Sequence, residues 1–348
     1  MTNQTFKNTP NTVVMDIEIR DDKPGYTVNT IATIKREYPG AQLFLLVGTD
    51  MYLTLDMWKN SETLLNAITP AVFPRSAEDI KKIMAYSLVL KERYGVDTMT
   101  IKNCIVDISS SRLREMLPKR EGAGYITDTT YSYIIENKIY GAKPDWDWLR
   151  MRAYAKLSPQ RISHVSGCEE EALRLAKRWG VNADDALEAA ILHDITKSST
   201  LEENLSILEE NGIIVGKIEH AEEKLLHSKS GAVLAKTLFG VTDEVAGAIM
   251  WHTTGRAGMS TLEKVVYLAD YIEPERDFPG VADLRKEAYE DIDNAMIMGL
   301  EMSIQDITAR AITPNSTTSD ALDYLIHSRK GQTNEAIQQQ EKKRAASE

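Results

Sequence analysis

The first 140 residues alternate short apolar runs with longer amphipathic segments. Short runs rich in β-branched and aromatic residues are typical of buried strands, whereas apolar positions three or four residues apart are typical of helices. Alternation of the two indicates a parallel sheet covered by helices. The predicted strands are VVMDIEI, QLFLLVG, AVFPR and MTIKNCIVDI, and the predicted helices are TVNTIATIKREY, ETLLNAI, DIKKIMAYSLVLKERY, SSSRLREML and YSYIIENKIY.

From Arg161 onward the apolar positions follow the helical period almost throughout, which predicts an all-α domain. The stretch 141–159, with two prolines and the sequence KPDWDWLR, interrupts the earlier rhythm and marks the boundary. The predicted architecture is therefore α/β followed by all-α. Its parts are an α/β domain over 1–142, a linker over 143–157, a helical domain over 158–330 and a polar, disordered tail over 331–348.

Composition narrows the function. The formal net charge of -11 over 348 residues argues against a protein that binds nucleic-acid backbones. The two cysteines, Cys104 and Cys168, support neither a disulfide framework nor a cysteine-based zinc site, and they fit a reducing cytoplasm. The polar opening segment lacks the apolar stretch of a signal peptide, and no run reaches the roughly 18 apolar residues of a membrane span. We therefore expect a cytoplasmic protein without a membrane or nucleic-acid partner.

All six histidines lie in the second half of the chain. Any one of them taken alone is most simply a core or surface residue. His193 and Asp194, however, end a helix after the apolar run AAIL, where burial of two polar groups needs compensation. Similar polar groups interrupt apolar stretches on neighbouring helices, and helical bundles build metal sites from facing helices. The set predicted to converge on a metal is His164, His193, Asp194, His227, His252 and Asp270.

His164, the His193-Asp194 pair and Asp270 resemble the H…HD…D signature of HD-domain phosphohydrolases. With LLHSKSGA, WHTTG and LADYIEPER, the segment 158–330 resembles the bacterial symmetrical bis(5'-nucleosyl)-tetraphosphatases. The resemblance implies cleavage of diadenosine tetraphosphate into two ADP molecules. It implies His164, His193, Asp194 and Asp270 as ligands of a first metal, and His227 and His252 as contacts to a second metal or to substrate phosphates. Iron is the expected metal, with manganese and zinc as alternatives; a homodimer is left open. His220 and His327 are given no role.

The same resemblance suggests how catalysis would be divided among the residues. A bound divalent metal would neutralise the polyphosphate and lower the pKa of the attacking water, which Asp194 would orient. Lys197 follows the pair by one turn and Arg276 follows Asp270 by six residues, so both are candidates for contacts to phosphate. For Lys197 a solvated lysine at a helix end, and for Arg276 a surface ion pair with Glu273, is an equally good interpretation.

The first half resembles the bacterial nicotinate-nucleotide adenylyltransferases in four motifs. They are PGYTVNTIATIKREYP, FLLVGTDMYLTLDMW, ISSSRLREML and YSYIIENKIYG. The resemblance implies an incomplete Rossmann-like nucleotidyltransferase domain. Ser109, Ser110 and Arg114 would then bind ATP phosphates at a helix N-terminus. Gly48 and Asp50 would lie beside the nucleotide, and Trp58 would either stack on a pyridine ring or be a buried structural residue.

This half departs from that family at its start. The family begins with a strand and a GGxFDPxHxGH-type loop whose histidines stabilise the transferring phosphate, but no histidine precedes His164 here and no glycine precedes Gly25. The domain is thus expected to be either truncated or degenerate. Three functions compete: a hydrolase with a vestigial partner domain, a bifunctional enzyme with a live adenylyltransferase in NAD biosynthesis, and a non-catalytic nucleotide sensor.

Overall fold

The computed structural model describes residues 1–20, 25–102, 106, 108–213 and 223–345. The chain divides into two compact units, Met1–Leu113 and Arg114–Glu348. His220 and Cys104 lie outside the described residues. Within the part of the chain that the structure describes, no helix is both long enough and apolar enough to cross a membrane.

The first unit contains a three-stranded parallel sheet in the order β1-β2-β3. Its strands are β1 (Phe44–Gly48), β2 (Thr69–Phe73) and β3 (Met99–Thr100). Its helices are α1 (Thr2–Phe6), α2 (Ile17–Arg20), α3 (Thr27–Glu37), α4 (Thr49–Tyr52), α5 (Ser61–Leu65) and α6 (Ala77–Tyr94). The apolar faces meet in a core that includes Tyr52, Leu55, Val72, Ile83 and Leu90.

Two of the four predicted strands are confirmed at β1 and β2, and the fourth begins as β3, with residues 103–105 and 107 outside the described part. The prediction of a strand at VVMDIEI is wrong, because this segment is irregular and then helical at α2. Val13 is 76% exposed and Ile19 is 86% exposed. A strand is stabilised by a neighbouring strand and a buried face, and this segment buries neither side chain.

The second unit is helical. It comprises α7 (Ser110–Met116, which begins in the first unit), α8 (Asp128–Glu136), α9 (Trp146–Tyr154), α10 (Pro159–Trp179), α11 (Ala183–Leu192), α12 (Leu201–Glu210), α13 (Glu223–Phe239), α14 (Asp243–Trp251), α15 (Thr261–Ile272), α16 (Val281–Glu290), α17 (Ile292–Ala309) and α18 (Ser316–Ala345). Helices α10, α11, α14 and α15 pack against one another, and α13 packs on α14. The predicted succession of an α/β part and an all-α part is confirmed.

The division falls earlier than the sequence predicted. The segment expected to be a linker forms α9, whose N-terminal amides are capped by Asp145. Trp148 on α9 packs edge to face against Tyr131, at 5.0 Å between ring centroids, and against Phe239, at 6.0 Å. Aromatic pairs of this kind tie α8 and α9 to α13. The last helix also continues to Ala345, into the segment for which a disordered tail or a frayed helix was expected.

Candidate metal centre

The helical unit brings the six predicted ligands together. His164 lies within α10, His193 and Asp194 follow the last residue of α11, and His252 follows the last residue of α14. His227 lies on α13 and Asp270 on α15. Four of the side chains are almost fully enclosed, because His193, Asp194, His227 and His252 are each at most 2% exposed.

Asp194 lies at the centre of the cluster. Its Oδ1 is 3.2 Å from His227 Nε2 and 3.6 Å from His252 Nε2, and its Oδ2 is 3.5 Å from His193 Nε2 and 3.8 Å from His164 Nε2. Asp270 approaches the same nitrogen of His164, with Oδ1 3.1 Å from His164 Nε2. The Nε2 atoms of four histidines are thus directed at two carboxylates.

Two ring nitrogens are oriented by the helix ends that carry them. His193 Nδ1 is 2.7 Å from the carbonyl oxygen of Ala190, and His252 Nδ1 is 2.7 Å from that of Ile249. Carbonyls in the last turn of a helix lack intrahelical partners, so they can accept from an imidazole three residues later. With the Nδ1 proton donated there, the Nε2 lone pair of each ring faces the cluster.

The cluster contains buried polar atoms without hydrogen bonds. In the described part of the chain, His193 Nε2 and Asp194 Oδ1 are both buried and have no hydrogen-bond partner. An unsatisfied buried polar atom is costly, and a cation that accepts lone pairs from imidazole and carboxylate would remove that cost. Two subsets have ligand atoms close enough for one ion: His164, Cys168, His193 and Asp270, and His193, Asp194 and His252. The residues present therefore fit a divalent metal.

Comparisons with known proteins agree with this geometry. Residues 161–275 match the HD domain family. The "Bis(5'-nucleosyl)-tetraphosphatase, symmetrical" of Bacillus subtilis is 41% identical over 147 residues, which cover 42% of this chain and 78% of that protein. The chain belongs to the HD phosphohydrolase family.

Two further relatives of this HD phosphohydrolase bear on its two halves. The "Probable nicotinate-nucleotide adenylyltransferase/Ap4A hydrolase" of Mycoplasma genitalium is 26% identical over 272 residues, covering 78% of this chain and 71% of that protein. The crystal structure of a "predicted HD superfamily hydrolase involved in NAD metabolism" from Clostridium acetobutylicum matches with a TM-score of 0.52 and 34% identity. That match covers 53% of this chain and 99% of the other. The predicted resemblance of both halves is confirmed.

The charges at the centre of the HD domain favour ionised carboxylates and a neutral His227, whereas Asp194 raises the pKa of His193 against the effect of burial. Burial alone would raise the pKa of the Asp194 carboxyl, but His193, His227 and His252 hold that pKa well below its ordinary value. Burial opposes ionisation of Asp270 too, yet the close contact with the His164 ring lowers its pKa. Burial lowers the pKa of His227 to about 4, so this imidazole is neutral. Ionised carboxylates and neutral imidazoles are the species that bind metals.

Three cationic side chains border the cluster. Lys197 Nζ is 3.1 Å from His227 Nε2 and 3.9 Å from Asp194 Oδ1, and burial lowers the pKa of its ammonium group. Arg276 Nη2 donates to Asp270 Oδ1 at 2.6 Å. Arg161 Nη1 donates to Asp194 Oδ2 at 2.8 Å. These cations place positive charge at the edge of the metal centre, which an anionic substrate requires.

The sequence interpretation missed Arg161 and misjudged Glu273. Arg161 precedes His164 by three residues on α10, so the two share a helix face, and this spacing was the available signal. Glu273 is only 2% exposed, and its Oε1 lies 3.1 Å from His164 Nδ1. Its proximity to Arg276 had suggested a surface ion pair, but Arg276 Nε is 3.6 Å away and the carboxylate is buried. His327 is exposed, and among its described contacts its Nδ1 donates a hydrogen bond to the carbonyl oxygen of Asp323.

In the first unit, three of the predicted nucleotide-binding residues lie at the carboxyl end of β1 or close after it. Gly48 ends β1, Asp50 pairs with Arg75 at 3.0 Å, and Trp58 Nε1 donates to Thr54 Oγ1 at 3.3 Å. Trp58 lines a cavity of about 240 Å³ together with Tyr26, Thr27, Met51 and Lys59.

The other three predicted nucleotide-binding residues, Ser109, Ser110 and Arg114, lie just before α7 or within it. Ser109 Oγ accepts a hydrogen bond from the backbone N–H of Arg112, and Ser110 is the first residue of the helix. The Arg114 guanidinium, in the second unit, lies 5.1 Å from the centre of the Tyr140 ring. The serines therefore lie at a helix N-terminus, as predicted.

Proposed function

We propose that the HD domain cleaves diadenosine tetraphosphate symmetrically into two ADP molecules, and that it uses a divalent metal, iron in the first place. The observation that carries the proposal is the buried cluster in which His193 Nε2 and Asp194 Oδ1 lack hydrogen-bond partners. The names of the relatives from Bacillus subtilis and Mycoplasma genitalium support the substrate. Neither manganese nor zinc is disfavoured by the donor set, because each accepts imidazole and carboxylate ligands.

In this proposal His164, His193, Asp194 and Asp270 hold the metal. When bound, a divalent metal supplies Lewis-acid charge to the phosphate oxygens and lowers the pKa of an attacking water. His227 and His252 lie on the far side of Asp194, where they either complete a second metal site or contact a phosphate. Asp194 Oδ1, which has no hydrogen-bond partner, is the atom we assign to orienting the water.

The three border cations are proposed to bind the polyphosphate chain. The side chains of Arg161, Lys197 and Arg276 are 30%, 32% and 39% exposed, so each can reach a ligand in solvent while bonded to the cluster. A planar guanidinium can grip two phosphate oxygens at once, whereas the ammonium of Lys197 acts as a point charge. Arg161 lies beside Asp194 and Arg276 lies beside Asp270, so positive charge accompanies both carboxylates. This arrangement suits a substrate that carries phosphates on both sides of the cleaved bond.

The test is metal analysis of the purified full-length chain together with product analysis. We expect bound iron and two molecules of ADP for each molecule of diadenosine tetraphosphate consumed. Formation of ATP and AMP would contradict symmetrical cleavage. A protein that holds metal and binds the dinucleotide without cutting it would instead be a nucleotide sensor.

Two observations favour nucleotide binding by the first unit as a second function. The match to the Mycoplasma genitalium relative covers both halves of the chain, and Trp58 lines a cavity. We propose that the first unit keeps a nucleotide-binding role without adenylyl transfer, since residues 1–163 contain no histidine to stabilise the transferring phosphate. Incubation with ATP and nicotinate mononucleotide should yield no deamido-NAD. A substantial rate of deamido-NAD formation would establish a bifunctional enzyme.

A further inference from the structure

His193 and His252 are oriented by carbonyl oxygens at the ends of their helices, and His164 has no such carbonyl beside it among the described residues. His164 lies within α10, five residues after its first residue and fifteen before its last, where backbone carbonyls are used within the helix. Its Nδ1 instead faces Glu273 Oε1 at 3.1 Å, while its Nε2 faces Asp270 Oδ1 at 3.1 Å. A neutral imidazole carries one N–H and one lone pair, so one of these contacts must receive the proton.

We propose that Glu273 is a positioning residue for the metal centre. Its carboxylate accepts a hydrogen bond from the Nδ1–H of His164 and thereby directs the Nε2 lone pair at the metal. The inference rests on the proposed metal-dependent function. A carboxylate behind a ligating histidine fixes the ring and its tautomer and makes the ring a stronger donor. For His193 and His252 a backbone carbonyl has this position, so His164 differs from them in having a charged partner.

The surroundings of Glu273 hold the carboxylate in place. Its Oε2 accepts a hydrogen bond from the backbone N–H of Glu275 at 2.6 Å. Arg285 on α16 donates to the carbonyl oxygens of Ile272, Glu273 and Arg276, at 2.9, 2.8 and 2.7 Å. The backbone of the turn that follows α15 is therefore held at three carbonyls, and the Glu273 side chain cannot rotate away without breaking its hydrogen bond with the Glu275 N–H.

Gly167 leaves the space that the carboxylate occupies. A Cβ at this position of α10 would lie 2.7 Å from Glu273 Oε2 and 3.3 Å from Pro274 Cδ. The first distance is shorter than a van der Waals contact, so a methyl group would displace Glu273. Glycine in the middle of a 21-residue helix disfavours that helix, and the close approach of Glu273 gives a reason for it.

The experiment measures metal affinity of the full-length protein by competition with a chelator, using Mn²⁺ and Fe²⁺ as probes. Glu273→Ala should weaken binding by roughly 10- to 100-fold, and Glu273→Gln, which keeps an acceptor oxygen but not the charge, should fall between this variant and the unmodified protein. Gly167→Ala should weaken binding as well, although it alters no polar group. Helical content by circular dichroism reports folding for every variant.

Matched controls separate this role from general effects. Glu275→Gln makes the same change of charge two residues away on an exposed side chain, and Gly299→Ala adds a methyl group to α17 where the nearest atom would be at 3.5 Å. Both should bind metal as the unmodified protein does. If Glu273→Ala and Gly167→Ala bind the metal as tightly as the unmodified protein does, the proposal is overturned. If Glu273→Ala fails to fold, Glu273→Gln and Gly167→Ala decide.

The result is distinguishable from failure of the proposed function. Weakened binding in the variants of a protein that leaves diadenosine tetraphosphate uncut would uphold the role of Glu273 and contradict the substrate. If the unmodified protein cleaves diadenosine tetraphosphate and the variants bind metal normally, the substrate is upheld and the role of Glu273 is contradicted. An unmodified protein with no affinity for either ion would contradict both.

Discussion

Asp194 touches more of the cluster than any other described side chain, with four imidazoles within 3.8 Å and the Arg161 guanidinium at 2.8 Å. We expect Asp194→Ala to lose metal and activity, because it removes a ligand and leaves like-charged or neutral groups facing one another. The loss of metal affinity should exceed the roughly 10- to 100-fold effect of an outer partner. Metal content, turnover and circular dichroism check this, with helical content expected to stay.

The control at this scale is His327→Ala. His327 is exposed on α18, away from the cluster in sequence and in its described contacts, so its removal should leave metal content and rate near those of the unmodified protein. A large loss in His327→Ala, or full activity in Asp194→Ala, would mean that the centre is built from other residues.

Arg161 allows substrate binding to be separated from metal binding. Arg161→Ala should keep the metal but lower kcat/KM for diadenosine tetraphosphate by about 10- to 100-fold, since a hydrogen bond to a charged group contributes about 1.5–3 kcal/mol. Arg161→Lys should recover part of the loss because it keeps the charge without the fork. Arg174→Ala, on the exposed face of the same helix, is the matched control. Unchanged steady-state kinetics in Arg161→Ala would remove Arg161 from the site.

The sequence predicted which residues form the cluster better than it predicted the residues around them. His193, His252 and Asp270 interrupt or end apolar runs, and a polar group in such a place needs a partner whatever the tertiary structure is. Arg161 and Glu273 resemble ordinary surface charges in sequence. The burial of Glu273 depends on Gly167, 106 positions earlier, and on Arg285, so it follows from the packing of three helices and not from local pattern.

At the scale of elements, Arg120 joins the segment before α8 to the centre of the helical unit. Its guanidinium donates to Glu188 Oε2 at 3.3 Å on α11 and to Pro144 O at 2.9 Å, and lies 3.8 Å from the centre of the Trp146 ring. Arg120 and Glu188 are both buried, and burial raises the pKa of Glu188 while Arg120 opposes that rise.

Arg120→Met should therefore destabilise the protein by about 3–5 kcal/mol, because it leaves the Glu188 charge buried without its partner. Urea denaturation at pH 7 measures the change in the free energy of unfolding. The double variant with Glu188→Leu should recover much of the loss, since replacing both members of a buried pair is often close to neutral. A single variant as stable as the unmodified protein would show that this pair does not join the two segments.

Elements were predictable where one face of a segment is apolar by itself. Helix α10 has such a face, since Val165, Cys168, Ala172 and Leu175 are buried at spacings of three and four residues. The α9 region has prolines before it and aspartates within it, which are loop signals, yet Asp145 caps the helix and Trp148 fills the space beside Phe239. Its helical structure is thus stabilised by contacts with a helix some ninety residues later, which no local pattern reports.

For the whole molecule, the position of the division between the units predicts which fragment folds alone. A fragment that begins at Arg114 keeps the contacts of Arg120 with Glu188 and of Trp148 with Phe239, whereas one that begins at Ser158, the start of the predicted helical domain, loses both. We expect the fragment 114–348 to fold cooperatively and to keep metal and hydrolysis at rates near those of the full chain.

The fragment 158–348 should be less stable by several kcal/mol, since it loses the Arg120–Glu188 pair and exposes the apolar surface that Trp148 covers. Thermal and urea unfolding, with metal content measured in parallel, compare the two fragments. Equal stability would mean that α8 and α9 contribute little to the helical unit and that the boundary inferred from sequence is the functional one. Loss of hydrolysis in a folded fragment 114–348 that still holds metal would assign part of the reaction to the first unit.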